Sequence, residues 1–132
     1  VAEPVILYGN PVAAVKAWLD ARLGGVKAFA DVPKTRPESF VILTPSGGSD
    51  LSPVHDRALM MVDSWGPTAA KAQDLAQLVR AHLGSLRNDR VRGVLIYTAK
   101  PLGGLVYVPD PDAALPRYRQ NWEFVTRGEQ IQ

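Results

Sequence analysis

Five side chains that could in principle do hydrolytic chemistry, Ser46, Ser49, Ser52, His55 and Asp56, crowd one short polar stretch. A serine nucleophile needs an imidazole to take its proton and an acid to orient that imidazole, and this stretch offers all three residue types. It lacks the setting: no G-x-S-x-G elbow joins a strand to a helix here, and a polar loop accounts for the residues. The other histidine, His82, stands near the end of a helical pattern, where positive charge complements the helix dipole, and neither histidine has a partner at metal-ligand spacing. The pairs Gly47-Gly48 and Gly103-Gly104 belong to no dinucleotide-binding or phosphate-loop pattern. Asp110 and Asp112 could offer oxygens to a hard cation, but Pro109-Asp110-Pro111-Asp112 lacks the further carboxylates of a calcium loop and fits a turn. These residues describe a protein that is not an enzyme and needs no cofactor.

With 132 residues the chain is expected to form one domain, 1–132, with a core of its own. Its 15 Lys and Arg against 13 Asp and Glu give a formal charge of +2, without the concentrated positive field that phosphate binding usually requires. Arg80, Arg87, Arg90 and Arg92, interrupted by Asp89, fit a solvated helix end as well as they fit a phosphate contact. The absence of cysteine excludes disulfides, thiolate metal sites and thiol nucleophiles together. No apolar run approaches the ~20 residues of a membrane helix, and the opening VAEPVILYGNP lacks the basic and long apolar regions of a signal peptide. Neither membrane insertion nor secretion is expected.

The pattern along the chain supplies the scaffold. Asn10-Pro11 reads as an N-cap with proline in the first turn, and Val12, Val15, Leu19 and Leu23 share a stripe with Trp18 beside it. This predicts a helix from Pro11 to about Leu23, stopped by Gly24-Gly25. Val26 to Val32 and Phe40 to Thr44 read as strands, joined by a proline-containing connection. Thr44, Pro45, Ser46, Gly47, Gly48, Ser49 and Asp50 predict a mobile loop, and loops held on a rigid sheet commonly carry contacts. Arg57 to Trp65 is apolar on both faces and predicts a buried strand, broken at Gly66-Pro67. From Thr68 the stripe Ala72, Leu75, Ala76, Val79, Leu83 and Leu86 predicts a helix lying on a sheet. Val94 to Thr98 and Leu105 to Val108 read as a hairpin with a longer loop. Two helices and about six short strands without βαβα alternation predict an α+β fold: a mainly antiparallel mixed sheet with both helices packed on one face.

The stretch from Asp110 to Gly128 is the most informative. After the turn at Asp110 and Asp112, Pro116, Arg117 and Tyr118 lead into an alternating strand. Tyr118, Gln120, Trp122, Phe124 and Thr126 share a packing face, while Arg119, Asn121, Glu123, Val125 and Arg127 share the other. Trp18, Trp65 and Trp122 read as core anchors, with room for one of them at a subunit interface.

A D-P-D turn, then P-R-Y, then an alternating strand closing on Arg127-Gly128 resembles the end of the tail terminator proteins of long-tailed bacteriophages. The order of the earlier elements is similar too: early helix, paired strands, Gly-rich loop, strand ending in Trp-Gly, Ala-rich helix. The resemblance implies a structural virion protein made in the host cytoplasm and placed at the head-tail junction. It implies a homohexameric ring that caps the major tail tube protein, ends its polymerisation and offers a surface to the head-tail connector or stopper protein. Genomic DNA would pass through the lumen with non-specific contact at most. By the same analogy Pro45 to Pro53 is a candidate for tube or neighbour contact, and Arg119, Glu123 and Arg127 are candidates for ring-closing ion pairs; replacing Arg119 and Glu123 together is expected to spare the fold and weaken assembly. A head-completion or stopper protein is the alternative, against which the long helix from Thr68 speaks.

Overall fold

The computed structural model describes residues 2–112 and 115–131. The elements run β1 (Ile6–Leu7), α1 (Pro11–Asp20), β2 (Ala28–Phe29), β3 (Phe40–Asp50), β4 (His55–Trp65), α2 (Ala69–Gly84), β5 (Asp89–Val91), β6 (Val94–Pro101), β7 (Val106–Tyr107), β8 (Arg117–Arg127) and β9 (Glu129–Gln130). The seven-stranded main sheet has the order β2-β3-β4-β8-β6-β5, with β7 also paired to β8, and β1 and β9 form a separate two-stranded ribbon. Among the described residues only β2 and β3 run parallel. The class is the expected α+β, although β3, β4 and β8 are long strands of 11 residues each.

Both helices start where the residue types require. The Asn10 side chain accepts from the N–H groups of Val12 (3.0 Å) and Ala13 (3.2 Å), while Pro11 occupies a position whose N–H would have had no helical partner. At the second helix Thr68 Oγ1 accepts from the Lys71 N–H (3.2 Å). Gly66 allows β4 to pass directly into this helix start, since a Cβ there would lie 2.6 Å from the backbone nitrogen of Ala72. Every residue of the predicted α2 stripe, Ala72, Leu75, Ala76, Val79, Leu83 and Leu86, is buried.

One face of the sheet carries the main core. Ala14, Val15, Trp18, Leu19 and Leu23 from α1 and its exit, with the α2 stripe, pack on Val41, Leu43, Met60, Val62, Ile96, Trp122 and Phe124. A buried polar chain ties strand to helix: Trp122 Nε1 donates to Gln120 Oε1 (2.7 Å), and Gln120 Nε2 donates to the Ala76 carbonyl (3.0 Å). The opposite face is covered only at one end, where Phe40, Ile42 and Trp65 form a second cluster with Phe29 and Leu115 packed against it. Phe40 and Trp65 stack with ring centroids 4.7 Å apart.

Several predicted elements change shape. α1 ends at Asp20, and the chain continues to Leu23 as a tightened turn in which both Arg22 and Leu23 donate to the Leu19 carbonyl. The Val26 to Val32 strand shrinks to Ala28–Phe29, whose outer side is held by helix side chains: the Ala28 N–H donates to Asp20 Oδ1 (2.8 Å), and Lys16 Nζ donates to the Ala28 carbonyl (2.6 Å). The predicted Pro45 to Pro53 loop is corrected most. β3 continues through Asp50, paired residue for residue with β4 apart from a bulge between Pro45 and Gly48, and only the tip around 51–54 turns. Glycine at 48 makes this possible, with φ of 136° and the Arg57 carbonyl oxygen 1.9 Å from where a Cβ would stand. The predicted hairpin between Val94 and Val108 is also corrected. β6 and β7 lie end to end along the same side of β8, and β7 makes its hairpin with β8 instead.

The Gln120 chain gives a first prediction. Gln120→Ala leaves the Trp122 N–H buried without an acceptor, so it should cost about 1–3 kcal/mol, read as a lower midpoint in thermal or urea unfolding. Adding Trp122→Phe removes the orphaned donor, and this second change should cost less in the Gln120→Ala background than in the parent protein.

Candidate functional site

The serine-histidine stretch folds into the tip of the β3–β4 hairpin. Ser52 Oγ and His55 Nδ1 come within 2.6 Å, but the same oxygen accepts the backbone N–H groups of Val54 (3.3 Å) and His55 (3.0 Å). Ser52 therefore closes the turn. Ser46 and Ser49 lie back along β3, and among the described residues no carboxylate hydrogen-bonds the His55 ring. The tip is held from outside as well: Gly128 N–H donates to the Val54 carbonyl (2.8 Å), and the Tyr8 hydroxyl donates to that of Pro53 (3.2 Å). Partial burial, reinforced by the carboxylates of Asp50 and Asp56, holds the Tyr8 hydroxyl above the usual tyrosine pKa.

Of the candidate contact residues, Pro45, Ser46, Gly47, Gly48, Ser49 and Asp50 are exposed along β3, and Leu51 is exposed at the tip. The tip shares one end of the molecule with the β1–β9 ribbon. There a groove of about 600 Å³ is lined by Glu3, Pro4, Ile6, Pro53, Val54 and Gln130. Val5, Leu7, Leu51 and Ile131 are all exposed at this end. Toward the other end of β8, where Val106 faces Arg119 and Tyr107 faces Tyr118, β7 exposes Val106 and Tyr107.

The candidate ring residues lie on the sheet face away from the helices, as the alternation of β8 predicts, and have partners inside the chain. Arg119 grips Asp63 with two hydrogen bonds, Nε to Oδ1 (2.8 Å) and Nη2 to Oδ2 (3.2 Å). The Asp63 side chain is 5% exposed and that of Arg119 29%. This bidentate bond, more than any other cause, raises the Arg119 pKa above its ordinary value. Glu123 pairs with Arg57 and stands across from Lys100. Arg127 is the most open of the three, with its guanidinium 3.4 Å from the Tyr97 hydroxyl. Because the partner of Arg119 is a buried carboxylate, its removal is expected to cost the fold more than loss of an exposed pair would.

The turn residues divide their work. Asp110 accepts the backbone N–H of Asp112 at Oδ1 (2.9 Å), while its Oδ2 takes Trp65 Nε1 (3.1 Å) and faces Arg36 (3.3 Å). It is thus a clasp over the second core cluster. Asp112 contributes that backbone N–H, and its side chain is exposed. Pro116 accepts the Gly66 N–H, Arg117 donates to the Val108 carbonyl (2.9 Å) beside the Trp65 ring, and Tyr118 leans on Tyr107. Trp18, Trp65 and Trp122 are all buried within the subunit. The Asp110–Trp65 contact could not be read in sequence, since 45 residues separate the two.

No protein-family model matches the chain, and no curated protein matches it. Among solved structures it superposes on a chain in the virion of a native gene transfer agent particle. The TM-score is 0.65 at 18% identity, with 88% of this chain and 93% of the other covered. The two proteins share a fold. Nearly all of both chains takes part.

The ion pairs give a second prediction. Arg119→Ala should destabilise by about 2–3 kcal/mol, below the ~3–5 of a fully enclosed pair because Arg119 keeps some solvent, whereas Glu123→Ala should cost under about 1 kcal/mol. Denaturant titration of the two variants checks the order. Asp63→Asn should recover part of the loss in the Arg119→Ala background, and equal costs for the two single variants would contradict the assignment.

Proposed function

We propose that this protein is a non-enzymatic structural component of a virion, a tail terminator that closes into a six-membered ring on the tail tube. The observation that carries this reading is the end-to-end likeness to a chain of the gene transfer agent virion. The D-P-D and P-R-Y elements and the order of the secondary structure support it independently.

The surfaces fit the task. A terminator must match the tube on one side and offer something different on the other, so that growth stops by mismatch without bond-breaking chemistry. The groove end, with Val5, Leu7, Leu51 and Ile131, and the β7 end, with Val106 and Tyr107, are unlike apolar surfaces at opposite ends of the long strands. They suit the tube and the head-side connector, in an order that the fold leaves open. Pro45 to Leu51 serves as a stiff arm for tube or neighbour contact. Arg127 is the best placed of the three β8 residues for a contact between copies, since Arg119 and Glu123 are already engaged. The ring would sit at the head-tail junction of the particle, with DNA passing non-specifically through its lumen.

Removing the gene tests this directly. Particles made without the protein should carry tails of uncontrolled length and fail to join heads, as seen by negative-stain microscopy, and the wild-type gene supplied in trans should restore both. Tails of normal length beside unjoined heads would point to the head-completion alternative. Normal, joined particles would sink the assembly reading altogether.

A further inference from the structure

The main sheet ends in two open edges at the same level along the strands. On β3, β2 covers Val41 and Ile42; beyond them, among the described residues, no strand lies on the outer side through Asp50. On β6, β5 covers Val94 to Ile96, and the outer side from Thr98 to Pro101 is likewise uncovered. The register connects the two edges: Pro45 faces Met60, Met60 faces Trp122, and Trp122 faces Pro101. A proline therefore stands at each end of a single row across β3, β4, β8 and β6.

The direction of each proline nitrogen follows from the ladder. The Val41 N–H donates outward, to the Lys27 carbonyl, so Leu43 and Pro45 also direct their amide positions away from β4. The Leu102 N–H donates inward to Asn121 (2.8 Å), so Lys100 faces β8 while Ala99 and Pro101 face out. In both cases proline replaces an outward donor that no strand of this chain needs. Each edge also carries a bulge, between Pro45 and Gly48 and between Ile96 and Thr98, and an exposed charge, Asp50 or Lys100. Proline, bulge and charge are three separate ways of denying an edge to an added strand.

We propose that Pro45 and Pro101 are paired guards against strand addition. Copies of this chain, and any other partner, meet through side-chain surfaces and never by extending the sheet. The inference rests on the edges alone and does not require the ring. The parity of the sheet shows what is being prevented. β3 and β6 run in opposite directions at opposite edges, so an unguarded β6 edge could pair antiparallel with the β3 edge of the next copy and propagate without limit.

The test compares the parent protein with Pro45→Val, Pro101→Val and the double variant by light scattering across a wide concentration range. The double variant should shift to larger, concentration-dependent species without limit, while each single variant, with one edge still guarded, goes no further than a dimer through its opened edge. A folded double variant that scatters like the parent would overturn the proposal. If the double variant fails to fold, amide exchange on the unaltered protein decides. The outward Ala99 N–H should exchange no more slowly in whatever assembly forms than in isolation, and added protection on assembly would overturn the proposal. A parent protein that never forms rings, beside a double variant that aggregates through its edges, would remove the assembly reading and leave this one standing.

Discussion

The antiparallel ladder between β4 and β8 is the constraint on which the other features depend. It runs unbroken from His55 opposite Arg127 to Trp65 opposite Arg117. Because side chains alternate along both strands, one register sends Ala58, Met60, Val62, Trp122 and Phe124 to the helices and Asp63, Arg119, Arg57 and Glu123 to the other face. A slip of one residue would bury the guanidinium groups and expose Trp122. The Gln120 side chain adds a check, since it reaches the Ala76 carbonyl only when strand and helix are aligned.

The two faces of that ladder are held in different ways. On the helix face nonpolar burial dominates, and the small alanines of α2 let its backbone come close to the strands. On the other face a short aromatic cluster at the Trp65 end gives way to ion pairs in the middle. Asp110 bridges these regimes. One carboxylate closes its own turn, takes the indole N–H of Trp65 and faces Arg36 across the surface. A turn residue thereby fixes where the β7–β8 hairpin sits over the sheet.

The closest approach to a catalytic pair, Ser52 with His55, is spent on a hairpin turn. What the fold does supply is two unlike ends and sheet edges that carry prolines and bulges. These features, with the fold shared with a virion chain, are what the proposed assembly role draws on.

Local patterns were enough to show the helices, the strands at Phe40, Arg57 and Val94, and the two-faced final strand. Capping residues, breakers and side-chain periodicity act within a few residues of themselves, so the Asn10 and Thr68 caps and the α2 stripe are legible without any tertiary contact. Pro45 to Asp50 was not legible in that way. Its Pro, Ser and Gly residues have poor strand propensity, yet β4 offers them a preformed ladder, and pairing overrides propensity. The same holds for the claims made on Ala28 by Lys16 and Asp20, for β6 and β7 sharing one side of β8, and for Arg119 being committed to Asp63 56 residues away. Residue types and spacing determined which segments could be regular and which faces would be apolar. The partner of each face and the direction of each edge were decided only when distant segments met, because hydrogen-bond ladders and ion pairs are set by register in space and not by neighbourhood in the chain.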